Sequence, residues 1–325
     1  MPPARQPGIV WAWPAALAGA AFAIPAALAM PVSVDKGLAL GFGVLPAAIV
    51  GIAPRRRDRV RIVLMGVLMG VPLAVGASLA SWPVLAVASV FVLAVGAAQL
   101  STKRPVGRIA LSLSVPLVGV GLSYNAGKGA GVALLIVAGS VFAMTVAMLW
   151  PQHDAPEHVR VVVPAESMLG YGVRLGLAGG TAAAIGFWFE WEHVGWAAAA
   201  AMLVMRPSIE MQELRSWGRV ASVIIGGLAA AGLAHATTAP GWYSLAIIVV
   251  IAGAGATYAS RWYVTPTFTT FIAISLLVYA NTDTAQSRFN ERVGETLLGV
   301  ALAYFFGLLV PRVFGRGRPR ATLPR

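Results

Sequence analysis

The stretch Arg292-Val-Gly-Glu-Thr-Leu-Leu-Gly299 decides the fold, because it opens an apolar run that continues to Pro311. A run of about 20 apolar residues can cross the hydrocarbon core of a bilayer as one helix. Arg292 and Glu295 are three residues apart, so they share a helix face and can pair. Ionisable groups at the head of such a helix mark either an anchor at the membrane interface or a functional site. Both residues are therefore candidate site residues.

Composition extends the membrane prediction to the whole chain. Its 325 residues are 58% hydrophobic and only 11% charged, with a mean hydropathy of +0.78. A soluble domain of this size could not bury so much apolar surface, so the sequence predicts an all-α integral membrane protein. There is no Cys, which excludes disulfides, thiolate catalysis and thiolate metal sites. Neither a Gly-x-Ser-x-Gly elbow nor a complete phosphate-binding loop occurs, so we expect no enzyme activity, cofactor or metal.

Apolar runs separated by charges, prolines and glycines predict about twelve transmembrane helices. We place them at residues 9–30, 37–53, 59–80, 83–100, 106–124, 130–150, 168–188, 193–206, 216–236, 241–259, 263–280 and 291–311. The second and eighth runs have the weakest pattern, so ten spans remain an alternative.

Basic residues predict that both termini lie in the cytoplasm, because cytoplasmic loops of membrane proteins carry an excess of Lys and Arg. In this orientation the outer side holds only Lys36, Lys128, Arg288 and Arg292. The net charge of +12 then indicates contact with anionic lipids rather than nucleic acid. The preference for Arg over Lys, with abundant Ala and Gly, is typical of a GC-rich bacterial genome. We therefore expect a bacterial cytoplasmic (inner) membrane protein.

The chain repeats itself with an offset of 160 residues. Six matches fall in this register: Leu17-Ala-Gly19 on Leu177-Ala-Gly179, Arg59-Val60 on Arg219-Val220, Gly66 on Gly226, Trp82 on Trp242, Gly139 on Gly299 and Pro151 on Pro311. Two halves of six spans have the same orientation in the bilayer, because six is even. We expect a first six-helix repeat over residues 1–151, a cytoplasmic linker over 152–167, a second repeat over 168–312 and a basic tail over 313–325.

Arginines within the apolar runs are the candidate anion-binding residues. Arg174 replaces Pro14 of the first half and lies about 9 Å inside its span, at 1.5 Å per residue. It either snorkels to the headgroups or binds an anion at the seam between the halves. Arg219 and its counterpart Arg59 open their spans. Interface anchoring is the simpler interpretation of Arg59, whereas a ring of such arginines at a pore mouth would concentrate anions.

Acidic and histidine side chains are candidates for proton coupling. Glu295 could gate a path or take up a proton, and His235 titrates near neutral pH. Glu190, Glu192 and His193 form either a solvated loop or a second proton-coupling group. His153 and His158 match no strong metal-ligand pattern, so we expect no metal site.

The second half resembles the fusaric acid resistance and aromatic acid exporter family. The resemblance covers residues 168–312 and rests on Trp196, Arg206-Pro207, Arg219, Gly226, Arg292-x-x-Glu295-Thr296-x-x-Gly299 and Pro311. The six-span unit is also distantly similar to the membrane domain of plant aluminium-activated malate transporters. The resemblance implies export of aromatic or other hydrophobic carboxylates, with Trp196, Arg219 and Arg292 on the path. It assigns Pro207, Gly226, Thr296, Gly299 and Pro311 to the structural motif. Family members often have Gly-Thr where this chain has Ser222-Val223.

The sequence as a whole therefore indicates a secondary exporter, or a channel, for organic anions. Arg174, Arg219 and Arg292 motivate this hypothesis, and proton antiport is the expected driving force because no nucleotide site is present. Two alternatives stay open. A carrier for cations or drugs would place acids, rather than arginines, in the seam between the halves. A membrane scaffold without transport activity would use the arginines as lipid anchors and close that seam.

Overall fold

The computed structural model describes residues 8–152, 165–207, 209–258, 260, 264–278 and 285–314. Within the helices, the side chains of residues 105, 165–167, 209–211, 213–216, 276–278, 285–290, 292 and 314 lie outside this description. Every regular element in the described ranges is helical. The α-helices are α1 (Trp13–Ala29), α2 (Val34–Val50), α3 (Arg56–Arg59), α4 (Arg61–Leu79), α5 (Pro83–Lys103), α6 (Pro105–Ile109), α7 (Val115–Gly121), α8 (Ala126–Leu149), α9 (Ala165–Trp188), α10 (Val194–Val204), α11 (Ile209–Ala236), α12 (Pro240–Ala256), α13 (Thr265–Val278), α14 (Ala285–Tyr304) and α15 (Val310–Phe314).

The helices have the length and exterior of a multi-pass membrane protein. In the part of the chain that the structure describes, five helices are long and apolar enough to cross a membrane, and four shorter helices are also apolar. The five are Arg56–Leu79, Pro83–Lys103, Ala126–Leu149, Trp217–Ala236 and Val293–Val313. Large apolar side chains such as Val84, Leu134 and Leu149 are more than 70% exposed, as expected for surfaces that face lipid.

The predicted eighth span differs most from its expectation. It is the 11-residue helix α10, which is about 16 Å long at 1.5 Å per residue and therefore spans about half of a 30 Å hydrocarbon core. Ten of its residues are buried. Helix α10 is thus an internal packing element, and its apolar pattern reflects contact with other helices rather than with lipid.

Two of the most extensive helix pairings cross between the halves of the chain. Helix α1 packs along α12, and a Cβ atom at Gly19 would lie 2.6 Å from the carbonyl oxygen of Ile251. Helix α5 packs along α9, and a Cβ atom at Gly176 would lie 2.9 Å from the carbonyl oxygen of Phe91. Glycine permits both approaches, because small residues let helix backbones come close together in a membrane.

The buried apolar side chains form two large clusters, and each cluster draws on both halves of the chain. One is built mainly from α1, α2, α8, α11, α12 and α13, with Phe22, Tyr243 and Ile251 among its most buried members. The other is built from α5, α7, α9, α10 and α14, with Val90, Leu175 and Met202 fully buried. The second cluster contains α14, the helix that begins before the Arg292–Gly299 stretch.

Two helices are interrupted by a π-helical turn. The segment π1 (Ala110–Ser114) joins α6 to α7, and π2 (Phe305–Leu309) joins α14 to α15. Each π segment ends two residues before a proline, Pro116 or Pro311. A proline has no N–H group, so the carbonyl four residues before it loses its usual helical partner. A π turn is one way in which a helix accommodates this loss, and such turns often mark functional sites.

Candidate functional site

Arg59 caps the end of helix α8, which corrects the expectation that it anchors the protein at the interface. Its side chain is fully buried. All five N–H donors of its guanidinium are used: Nε bonds to the carbonyl oxygen of Ala53 (2.8 Å), Nη1 to those of Ala147 (2.6 Å) and Trp150 (2.7 Å), and Nη2 to those of Pro54 (3.3 Å) and Pro151 (2.8 Å). Three of these carbonyls lie at the C-terminal end of α8, where the helix dipole favours a positive charge.

The position of Pro151 explains why Arg59 is needed. Pro151 cannot donate to the carbonyl of Ala147, four residues earlier, and Nη1 of Arg59 takes the place of the missing N–H. The arginine therefore satisfies a carbonyl that would otherwise be buried without this partner, which is costly in an apolar interior. Because no donor is left over, Arg59 has no capacity to bind a ligand.

Arg174 lies beside the equivalent carbonyl in the second half of the chain. Pro311 cannot donate to the carbonyl of Gly307 in π2, and Nη1 of Arg174 bonds to that carbonyl oxygen at 3.2 Å. Nε of Arg174 bonds to the carbonyl oxygen of Gly170, one turn earlier in α9, at 3.1 Å. The other three N–H groups have no hydrogen-bond partner among the described residues, and the side chain is only partly buried. Arg174 thus keeps donors for a ligand.

Two neutral polar side chains complete what we call the Arg174 cluster (Tyr171, Arg174, Gln212 and Gly307). Gln212 is fully buried and donates from Nε2 to the carbonyl oxygen of Ala303 at 2.6 Å. A Cβ atom at Gly307 would collide with the Gln212 amide, so glycine is required there. Tyr171 is 2% exposed, and its hydroxyl donates to the carbonyl oxygen of Met205 at 3.0 Å. The sequence patterns identify neither Tyr171 nor Gln212, although a polar residue within an apolar helix is a usable signal.

A second polar group, the His193 cluster (Glu192, His193, Glu291 and Trp196), lies where α10 begins. Nδ1 of His193 is 3.6 Å from Oε1 of Glu291 on α14. The ligand atoms of Glu192, His193 and Glu291 all lie within 4.8 Å of one another. Trp196 is 5% exposed, and its ring meets the His193 ring edge to face, with centroids 6.4 Å apart. The sequence places Glu192 and His193 together but does not predict that Glu291 joins them.

The tight turn between α9 and α10 positions the His193 cluster. A Cβ atom at Gly186 would lie 2.8 Å from the carbonyl oxygen of Val194, so the two helices nearly touch. Glu190 adopts a positive φ of 52°, which is unusual for a residue other than glycine and sharpens the turn. The turn brings Glu192 and His193 directly before the first residues of α10.

Helix α14 connects the two clusters. Glu295 is one helical turn beyond Glu291, on the same face, and is 3% exposed, while its neighbour Thr296 is 2% exposed. Gly299 follows one turn later, where a Cβ atom would lie 2.6 Å from the carbonyl oxygen of Ala197 in α10. Sixteen residues separate Glu291 from Gly307, which corresponds to about 24 Å along a helix. Buried polar groups therefore mark both ends of one helix.

The other predicted site residues are distributed around this helix. Arg219, the counterpart of Arg59, is partly buried on α11. Gly226 packs against α13, where a Cβ atom would lie 2.5 Å from the carbonyl oxygen of Thr267. Pro207 and His235 are exposed, and Pro311 is partly buried. The side chain of Arg292, together with His153, His158 and most of the linker, lies outside the described residues.

A comparison with known proteins identifies the second half of the chain. Residues 181–306 match the family model described as fusaric acid resistance protein-like. The match includes Trp196, Pro207, Gly226, Glu295 and Gly299, and it begins seven residues after Arg174. No curated protein and no solved structure matched the chain. The family match confirms the resemblance inferred from the sequence for this part of the protein.

Proposed function

We propose that this multi-pass membrane protein, which is fusaric acid resistance protein-like over residues 181–306, exports organic anions such as aromatic carboxylates. It would act as a secondary exporter or as a channel. The observation that carries the proposal is the contrast between Arg59, whose five donors all bond to carbonyl oxygens, and Arg174, which bonds through two.

The Arg174 cluster is chemically suited to a carboxylate. A guanidinium stays charged at any physiological pH and binds the two oxygens of a carboxylate in a planar, bidentate arrangement. The other cluster members are neutral, so the cluster carries a net positive charge. That charge acts more strongly among apolar helices than it would in water. A cation would be repelled from this cluster, so it supports an anion rather than a cationic substrate.

The packing supports the proposed architecture of about twelve spans in two repeats. The pairings of α1 with α12 and of α9 with α5 exchange with each other under the offset of 160 residues. The carbonyls next to Pro151 and Pro311, at Ala147 and Gly307, obey the same offset, and each accepts from an arginine. With both termini in the cytoplasm, the Arg174 cluster is on the cytoplasmic side and the His193 cluster is on the outer side.

A route for the exported anion follows from this orientation. The anion meets Arg174 near the cytoplasm and leaves past Trp196 and Glu295, whose side chains are buried along α10 and α14. Glu295 is the better candidate for proton coupling, because a carboxyl group within the bilayer interior is costly unless it serves a function. His235 is exposed at the end of α11 and is the weaker candidate. Arg219 and Arg292 remain proposed members of the route.

The proposal is tested by transport in inside-out vesicles. Uptake of labelled aromatic carboxylates, driven by a pH gradient, is compared among the native protein, Arg174→Gln and Arg61→Gln. The Arg61 side chain is 72% exposed and pairs with Asp58, so its substitution is the matched control. We expect uptake to fall at least about tenfold in Arg174→Gln, because a buried charge-assisted contact is worth well over about 1 kcal/mol. Equal uptake in all three proteins would contradict the role of Arg174, and absence of carboxylate uptake by the native protein would contradict the substrate class.

A further inference from the structure

The His193 cluster has the ligands of a metal site as well as the position of a gate. Glu192, His193 and Glu291 each offer one ligand atom, and these three atoms lie within 4.8 Å of one another. They come from two segments almost 100 residues apart in the chain, the α9–α10 turn and helix α14. Their side chains are reachable from solvent, since those of His193 and Glu291 are 13% and 31% exposed and Glu192 is exposed.

The distances fit a small divalent ion. Zinc binds imidazole nitrogen and carboxylate oxygen at about 2.0–2.2 Å, which places tetrahedral ligand atoms about 3.4 Å apart. Nδ1 of His193 and Oε1 of Glu291 are already 3.6 Å apart. Only Glu192 would have to move closer, and its exposed side chain can do so by a change of rotamer. One imidazole with two carboxylates favours a transition metal such as Zn²⁺ over Ca²⁺ or Mg²⁺, which prefer oxygen ligands.

The charge of the cluster also favours a cation. Two carboxylates beside a neutral imidazole carry a net charge of about −2, which exceeds the partial positive charge of about +0.5 at the start of α10. The strained Glu190 turn and the contact between Gly186 and Val194 hold the first two ligands in place. Glu291 is fixed by the helix that carries it. The three groups therefore meet without a large rearrangement of the backbone.

We propose that Glu192, His193 and Glu291 bind one Zn²⁺ ion, or a divalent transition metal of the same class. The ion fastens the start of α10 to α14, and its fourth coordination position is open to water. Because α10 and α14 both line the route past Trp196 and Glu295, the bound metal holds them together at one end. This inference concerns metal binding and does not depend on which substrate is transported.

Equilibrium binding of Zn²⁺ to the full chain tests the site. The protein is purified in detergent without a polyhistidine tag, stripped with EDTA and dialysed against a Zn²⁺ series, and bound zinc is counted per chain. We expect one zinc per chain in the native protein. His193→Ala and Glu291→Gln should lower the affinity at least about tenfold, since even outer-shell partners of a metal cost about 10–100-fold when removed. His235→Ala and Glu190→Gln, which change an exposed histidine and an acid outside the triad, should bind like the native protein.

A rescue variant separates loss of a ligand from loss of the fold. His193→Cys places a thiolate, a good zinc ligand, in a chain that has no other cysteine. We expect this variant to retain one zinc per chain, and we expect Zn²⁺ to raise the thermal unfolding midpoint of the native protein but not that of His193→Ala. Equal zinc binding by the native protein and His193→Ala would overturn the proposal. Absence of binding to the native protein up to about 1 mM Zn²⁺ would also overturn it.

Discussion

Two arginines illustrate how the same local problem leads to different roles. Pro151 and Pro311 each deprive a carbonyl of its helical partner, and an arginine supplies the missing donor in both cases. Arg59 does so with every donor that it has and becomes part of the scaffold. Arg174 bonds to that carbonyl with one donor, reaches it from a different helix and keeps three others. A functional arginine is thus distinguished from a structural one by the donors that remain after the backbone is satisfied.

Replacing Arg59 should destabilise the fold. In Arg59→Gln at least three of the five carbonyl bonds are lost, and buried carbonyls remain without donors. We expect a loss of about 3 kcal/mol in the free energy of unfolding, typical of breaking a buried charged contact. Thermal or denaturant unfolding in detergent measures this loss, with Arg61→Gln as the exposed control. Equal stability of the two variants would show that the cap contributes little.

The sequence identifies charged residues within apolar helices but not their partners. Arg174 stands out because its neighbours in α9 are mostly apolar or small, and its candidate role can be stated from the sequence. Arg59 follows Arg55, Arg56 and Arg57, so the pattern indicates a solvated charge run. Its actual partners at the end of α8 are about 90 residues away. Contacts of this kind depend on tertiary packing, which no local pattern encodes, and the same holds for Glu291 beside His193.

At the scale of the element, α14 depends on its close approach to α10. Gly299→Ala would place a methyl group 2.6 Å from the carbonyl oxygen of Ala197, and backbone atoms at this contact cannot move aside cheaply. We expect a loss of about 2 kcal/mol in unfolding free energy from overpacking. The matched control is Gly294→Ala on the same helix, where a Cβ atom has nothing within 4 Å. Alanine there should be neutral or stabilising by up to about 1 kcal/mol, because it is the better helix former. Unfolding midpoints of both variants check the difference.

Helices are easier to predict than their ends and irregularities. Most apolar runs coincide with a helix, because a polar backbone must be paired within the segment in a bilayer. The two π segments have no such signature, since a proline indicates an interruption but not how the backbone resolves it. The short buried helix α10 has the sequence pattern of a span, because helices that face protein and helices that face lipid are equally apolar in this chain.

At the scale of the whole molecule, the proposed orientation can be measured directly, because the chain has no cysteine. Lys128 and Arg104 are both exposed, at the start of α8 and the end of α5. Under the proposed topology, Lys128→Cys should react with a membrane-impermeant maleimide in intact cells. Arg104→Cys should react only after the membrane is permeabilised. The reverse pattern would place the termini outside, and labelling of both positions from one side would contradict an odd number of crossings between them.

The exchange of helices between the halves goes beyond what the repeat in the sequence can establish. An offset of 160 residues relates α1 to α9 and α12 to α5, yet it does not say whether each helix pairs within its own half. The structure pairs them across the halves, so both apolar cores require both parts of the chain. Neither half can therefore complete a core by itself, and we infer that the two halves fold together.

The complete set of carbonyl partners around Arg59 also determines how the protein responds to its surroundings. Its charge is balanced by backbone dipoles, while the adjacent carboxylate of Asp58 pairs with Arg61 instead. Backbone carbonyls do not titrate in the physiological range, and dissolved ions screen buried contacts much less than exposed ones. An arginine held by a carboxylate would loosen when the cytoplasm acidifies or its salt concentration rises. This cap is therefore insensitive to both, which suits a protein proposed to work across a proton gradient.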